Sequence, residues 1–581
     1  MMRILRMRAG REDGVAMVMV IGLSTVLLLL VAVAVTSSLG GLRQARTTQD
    51  WSAALGAAYA GVEEYQSRLA DDTSYYVYGN PGSNYTADTV SLPATTNPAF
   101  GIGVAGTWAT VTGSDGVARY RYEVDSSEYL TTGVISVRST GLVGGETRSI
   151  VAQLKQQGFI DFLYFTDYEI QDPLQSGASV ATCVKHVWEN RPTSGCSEIA
   201  FGSNDVVRGP LHSNDGIRIC AATFQGPVTT AYNPSSGPKY IPKDSNNTNC
   251  SGQQFLIPAY PAYSPLIGMP ATNSELKRET RSDLTASTVP NPGCLYTGPT
   301  KVVFNSNGTM TVRSPWTRKT RIQGNPATAG TTPVACGVVG TASGQLGSAG
   351  GAVVTVPADN VVFIQNVPNI STDPNYWASN ALPSGLTCVG GANSSGTGNG
   401  IGYPAANERA PSSTASLPSY GCRNGDAFVE GTVDGKVTIG VENYIYVTGN
   451  VQYESAEDDI LGLVGNNAVW VWNPVTSANV SVLNNTNRRI DAAIISVAHT
   501  FQVQNYNVGG SRGTLTVNGA LAQKFRGIVR GGGNGYAKDY NWDTRLQYTA
   551  PPKFLSPVTT TYGVNIWIEV APIFAASGAY N

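Results

Sequence analysis

The side chains best able to do chemistry in this 581-residue chain are eight cysteines, three histidines and one run of acids. The cysteines stand at Cys183, Cys196, Cys220, Cys250, Cys294, Cys336, Cys388 and Cys422, and no two are spaced as Cys-x-x-Cys. His186, His212 and His499 are far apart, so the spacing of a zinc site is missing. An even count in polar, loop-forming sequence points to disulfides made in an oxidising compartment, with buried free thiols as the alternative. Eight cysteines admit about a hundred connectivities. Sequential pairing (183–196, 220–250, 294–336, 388–422) is expected because each pair brackets a turn-rich stretch. Each bridge would add about 2–4 kcal/mol by restricting the unfolded chain.

The acids Glu454, Glu457, Asp458 and Asp459 offer calcium binding or a polysaccharide-lyase site. A calcium loop alternates its carboxylates with glycine or asparagine, and this run does not, so a solvated turn is expected. Gly509–Gly513 reads GGSRG, matching the nucleophile pattern G-x-S-x-G, which needs a strand-to-helix turn. Strand-like sequence lies on both sides, so a hairpin turn is expected instead. His212, in GPLHSND, reads as a turn residue bonded to backbone, and His499 as a satisfied histidine in an apolar strand. No carboxylate pair, phosphate loop or metal cluster remains. No catalytic residue, cofactor or metal ligand is therefore expected. The N-x-S/T sequons at Asn84, Asn246, Asn307 and Asn369 carry weight only in a glycosylating host.

Composition argues against a helical cytosolic enzyme. Only 13% of residues are charged and 65 are glycine, which suits β-structure with many turns and polar loops. The net charge of −2 gives no basic field for nucleic acid, and none is expected as a partner.

The element that must position everything else is N-terminal. Val15 to Val35 reads VAMVMVIGLSTVLLLLVAVAV, without a charge; as a helix at about 1.5 Å per residue it spans a bilayer core of roughly 30 Å. Arg3, Arg6, Arg8 and Arg11 precede it, which places that end in the cytoplasm and the remainder outside. A secretory signal peptide competes, with VTSSLG (35–40) as its cleavage site. Against it, Trp51, Leu55, Ala58, Val62, Tyr65 and Leu69 follow at steps of four and three, one stripe on a continuing amphipathic helix. Gly40–Gly41 is a predicted weak point, each glycine costing up to about 1 kcal/mol against alanine.

A basic leader, a glycine, and an apolar run passing into an amphipathic helix together resemble type IV prepilins and their minor-pilin relatives. The resemblance implies cleavage by a prepilin peptidase between Gly14 and Val15, or alternatively between Gly10 and Arg11. It also implies that the helix packs against other pilin and minor-pilin subunits. The family's glutamate at the fifth mature position is missing: Met19 or Val15 stands there. Family members without it include subunits placed at filament tips, where the new amine meets no subunit ahead.

The expected fold is α+β. A leader (1–14) and a transmembrane plus amphipathic helix (15–72) precede a small antiparallel β domain (73–158) and a large all-β domain (159–581). In the last, short strands between tight corners suggest a β-solenoid, a right-handed β-helix, with Val437, Ile439, Ile445, Val447 and Val451 inward. A β-sandwich fits less well. Phe159–Glu169 reads as core or seam, and 324–351 and 379–418 read as long surface loops. The segments GPLHSND, DDILGLVGNNAV, IDAAI, GALAQKFRG and YNWDTRL resemble the ectodomain of PilX-like pilus-assembly proteins. The expected function is a structural or adhesive minor pilin, single-pass in a bacterial cytoplasmic membrane and then at the cell surface. Its partners would be pilins, the membrane, the peptidase and a surface or host receptor. The bulk of the ectodomain suits a tip or rare position, since shaft subunits stack at small axial intervals. Alternatives are an uncleaved membrane-anchored adhesin and an extracellular β-helix enzyme acting on polysaccharide.

Overall fold

The computed structural model describes residues 13–581 except 88–89, 103–106, 128, 130–133, 157, 204, 287, 395, 485 and 558–561. The chain divides into two compact units, Met1–Gln156 with Thr560–Asn581, and Gln157–Thr559.

The first unit begins with helix α1, Asp13–Asp71. Contrary to the expected weak point, α1 runs through Gly40–Gly41 unbroken. Its run of Leu, Val, Ala and Met contains no proline, so no backbone donor is lost. Four strands follow: β1 (Ala109–Thr110), β2 (Ala118–Asp125), β3 (Val134–Val143) and β4 (Glu146–Gln156). They form an antiparallel sheet in chain order. Gly144 and Gly145, with φ of 58° and 97°, make the tight β3–β4 hairpin, a backbone that side chains resist. Alternation sends Tyr120, Tyr122 and Val124 of β2 to the face covered by α1.

The fifth strand of this sheet is a correction to the expected 159–581 domain. Tyr562–Val570 pairs antiparallel with β4, so residues 560–581 belong with the first unit. Local alternation identifies a strand but not its partner, and the partner lies 400 residues upstream in order of magnitude. The tail beyond it is held on β2. Arg121 Nη1 donates to the Gly578 carbonyl at 2.6 Å, and the Tyr580 hydroxyl donates to Glu123 at 2.5 Å.

The second unit is a large β-rich domain built on parallel pairs. One inward column runs Cys294, Val362, Ile439, Leu463, Ile494, Leu521, Tyr164, Leu211, Val228, each paired in register with the next. Every member is buried in one core, where each apolar side chain contributes about 1.5–3 kcal/mol. Val437, Ile445, Val447 and Val451 lie in the same core, as expected for inward positions.

The column is not in chain order. Its first member is Cys294, and the strand Tyr164–Tyr168 sits in its middle, paired with Ser511–Phe525. The chain thus starts mid-column, builds outward to Ala262–Tyr263, crosses to the other end at Cys294, and climbs back to its starting point. The crossing segment covers the outer face. There Leu295, Phe363, Gly440, Val464, Ile495, Ala522, Phe165 and His212 form a second register column. Ile267 and Leu276 of the crossing segment pack into the cluster that contains most of it. Asn273 Nδ2 donates to the carbonyls of Val441 and Val464 at 2.7 and 3.1 Å, fixing the crossing on two rungs. Strands covered on both faces read as continuous apolar runs, as parallel strands do.

Candidate functional site

Two regions of the molecule offer themselves for recognition: the free half of α1 and a set of polar clefts in the second unit. In α1, the large apolar side chains from Val15 to Leu42 are each between 51% and 72% exposed. The hydroxyls of Thr25 and Thr36 donate to the carbonyls of Ile21 and Ala32, so these two polar groups are satisfied within the helix. Among the described residues, this is the one helix long and apolar enough to cross a membrane. The backbone of Gly14 lies inside α1, and Val15 is exposed. The alternative pair Gly10 and Arg11 lies outside the described residues.

The C-terminal half of α1 lies on the sheet. Ala58, Val62, Tyr65 and Leu69 are fully buried, and Leu55 is half-buried against them. Trp51 departs from the expected stripe: it is 47% exposed, with the Arg148 guanidinium 3.6 Å from its ring centroid. The buried face of the helix begins at Ala54, and Trp51 lies just before it, at the level of the β3–β4 hairpin. The stripe also misses the two residues that set the helix-to-sheet distance, Gly61 and Gly141. A Cβ on Gly141 would stand 2.0 Å from the Ala54 carbonyl oxygen and 2.4 Å from the Ala58 nitrogen. A glycine inside the alternating strand 134–143 is the sequence signal of such an approach.

The cysteines form four disulfides, Cys183–Cys196, Cys220–Cys250, Cys294–Cys336 and Cys388–Cys422, and none is free. Two of them fasten the long loops: Cys336 lies within 324–351 and Cys388 within 379–418. The second of these loops is also tied through Glu408, whose Oε1 accepts from the Tyr420 hydroxyl, Trp472 Nε1 and Gln504 Nε2 at 2.9, 3.2 and 3.2 Å. Burial pushes the Glu408 carboxyl above its ordinary range against these bonds.

The other chemistry-bearing residues are put to structural use. Asp459 is buried and accepts from the backbone of Gly435 and Ser455, while Glu454, Glu457 and Asp458 are exposed. Ser511 of the GGSRG segment opens the strand Ser511–Phe525, with no helix after it. His212 is not the expected turn residue. It is a fully buried strand residue, stacked on Phe165, with Thr229 Oγ1 2.9 Å from Nδ1 and Asn214 Oδ1 3.1 Å from Nε2. Burial pushes its imidazole down to about 4, outweighing the Asn214 bond. His499 is buried, its Nδ1 2.7 Å from Asp172. His186 stacks on Tyr168 and Trp188. Among the described residues no three His, Cys, Asp or Glu side chains converge on a metal-sized site.

Where the start of the second unit meets its C-terminal strands, polar groups tie them. Arg526 is buried and donates to Glu169 at 2.8 Å, Gln523 Nε2 donates to the Tyr164 hydroxyl at 2.9 Å, and Lys538 faces Asp205 at 3.3 Å. Burial alone would raise the Asp205 carboxyl, but Lys538, the Gly202 N–H and Arg526 together hold it below its ordinary range. Burial lowers the Lys538 ammonium, opposed by Asp205. A cleft of about 580 Å³ opens beside this seam, walled by 197–203 and Asp205 on one side and 527–538 on the other. A second cleft, of about 680 Å³, lies between Ser274–Arg281 and Gln365–Asp373.

No protein family and no curated protein matches the chain. Among solved structures, the chain is similar to the competence-associated pilin ComZ from Thermus thermophilus, at 11% identity and a TM-score of 0.24, with 89% of this chain and 96% of that chain covered.

Proposed function

We propose that the chain is a minor pilin or pilin-like subunit of a type IV pilus, placed at a tip or another rare position, with a structural and adhesive role and no enzymatic one. The observation that carries this reading is the division of α1 into halves. One half is buried on a small sheet, and the other presents an apolar surface that water cannot solvate cheaply. A membrane first, and then the helices of other pilin subunits, supply the missing apolar surroundings. The prepilin peptidase acts between Gly14 and Val15. The lack of an acid near the new amine supports a position with no subunit ahead, since a buried amine without its carboxylate is costly.

The large domain is read as a right-handed β-solenoid of the PilX-like kind, the hand that parallel crossovers take. Its support is the register columns, in which each strand pairs parallel with a strand from a neighbouring turn of chain. Four disulfides fit an oxidising exterior, and with it a cytoplasmic N-terminus and a surface-exposed domain.

N-terminal sequencing of the chain recovered from sheared filaments tests the reading. The expected first residue is Val15, or Arg11 for cleavage at the earlier glycine. An intact Met1 refutes it and favours an uncleaved adhesin. A deletion strain is expected to lose piliation or attachment, and normal pili with normal attachment would sink the proposal.

A further inference from the structure

The seam cleft of the second unit has the make-up of a ligand site. At about 580 Å³ it falls within the usual ~300–1,000 Å³ of small-molecule sites. Its ionised lining groups are two carboxylates and two cations, Glu198, Asp205, Arg530 and Lys538. Glu198 is occupied by Arg191 and Arg218, and Asp205 by Lys538. The charges thus largely cancel in place, and the cleft offers a ligand no strong field of either sign. It offers instead hydroxyl, amide and aromatic surface. Gln171 Nε2 donates to the Tyr506 hydroxyl at 3.4 Å, Ser203 is exposed at the rim, and the half-buried Tyr506 ring lies along the wall. That ring keeps its position because Gly531 has no side chain; a Cβ there would lie 3.1 Å from Tyr506 Cδ2. The hydroxyl of Tyr536, fully buried among the lining residues, has no hydrogen-bond partner among the described residues.

A ligand complementary to such a wall is uncharged, carries many hydroxyls that both donate and accept, and has flat apolar patches for a tyrosine ring. From this chemistry we infer that the seam cleft binds a neutral oligosaccharide, with Tyr506 as the stacking platform and Gln171, Ser203 and Arg530 as hydrogen-bonding rim. The inference goes beyond the assembly role and does not rest on it, because the measurement uses purified chain and no filament.

Calorimetric titration of the full chain, in a detergent without a sugar headgroup, tests it with maltohexaose, cellohexaose and chitohexaose. Polygalacturonate serves as the anionic arm. At least one neutral hexasaccharide binds, and Tyr506→Ala weakens that binding by roughly tenfold. Ser203→Trp, at an exposed rim position, blocks the cleft and abolishes it. Ala415→Trp, beside a different cleft, leaves it unchanged. Near-UV circular dichroism confirms that each variant is folded. Binding by none of the three neutral sugars, equal binding in wild type and both cleft variants, or binding of polygalacturonate alone overturns the inference.

Discussion

Substituting Gly141 by alanine adds one methyl group where the structure has no room for it. The new Cβ would lie 2.0 Å from the Ala54 oxygen and 2.4 Å from the Ala58 nitrogen. Both are backbone atoms of α1, so no rotamer change relieves the clash. The helix must retreat by more than an ångström, and Ala58, Val62, Tyr65 and Leu69, all fully buried, lose close packing together. Overpacking a core costs typically about 1–3 kcal/mol, and a backbone-to-backbone clash belongs at the upper end, about 3 kcal/mol. For a unit of this size that lowers its melting temperature by roughly 10 °C. Gly56→Ala is the matched control on the same helix. Its Cβ would meet nothing within 4 Å, so only helix propensity acts, and the variant gains up to about 1 kcal/mol. Gly61→Ala falls between, since its closest contact is the movable Ser139 hydroxyl at 2.4 Å. Scanning calorimetry of the full chain in detergent reads the melting of the first unit, and hydrogen exchange along α1 and β3 assigns the transition. Gly141→Ala melting at or above wild type, or Gly56→Ala falling as far as Gly141→Ala, would refute the argument that Gly141 sets the helix-to-sheet distance.

Other perturbations reach different parts of the molecule. Replacing Cys388 and Cys422 by serine releases the loop that Glu408 also ties down; the second unit loses about 2–4 kcal/mol, and trypsin cuts faster at Arg409. Burial pushes the His212 imidazole down to about 4 in the folded chain, from 6.5 ordinarily. The unfolded chain therefore takes up the proton first, and stability drops as pH falls from about 6.5 to about 4, by about 3 kcal/mol. A urea titration series should show that slope in wild type and lose it in His212→Gln. Asp426 acts with the opposite sign: burial raises its carboxyl to about 7, so stability drops as pH rises toward 7, and Asp426→Asn removes this loss. Finally, joining Gln156 to Tyr562 through an Asn-Gly turn, in place of residues 157–561, should give a short chain with the α1–sheet packing intact by hydrogen exchange.

Much of the first unit was legible because its signals are local. The apolar run and the four-three stripe define α1, and the alternation in 118–125 and 134–154 defines the hairpins. Disulfide partners were readable from the way each pair brackets its own loop. What escaped was long-range order. The strand Tyr562–Val570 reads as a strand anywhere, and only the open edge of β4 decides where it goes. In the second unit, strands such as Val206–Arg208 and Leu211–Ser213 are too short to carry a period. Nothing local marks Tyr164–Tyr168 as the neighbour of Ser511–Phe525. His212 was misplaced for the same reason: GPLHSND looks like a corner, yet a column of Phe165, Ala522 and Ile495 claims its ring. The seam cleft is likewise a product of distant segments.

The return of the chain to β4 also decides how a pull on the second unit would be carried. Both connections to that unit leave the first unit side by side, because Gln156 and Tyr562 are register partners. Strand β4 and the strand Tyr562–Val570 are therefore drawn from the same end and in the same direction. Their mutual hydrogen bonds are not sheared, since the two strands move as one ribbon. The load falls on the next ladder inward, β3 against β4, whose register runs from Val134↔Lys155 to Val143↔Glu146. Those bonds must slip together, whereas a single tether at the end of a sheet would peel bonds one at a time. A domain joined to the sheet through two adjacent strands thus loads it as a loop of thread does, and tension on that domain is met by the longest ladder of the small sheet.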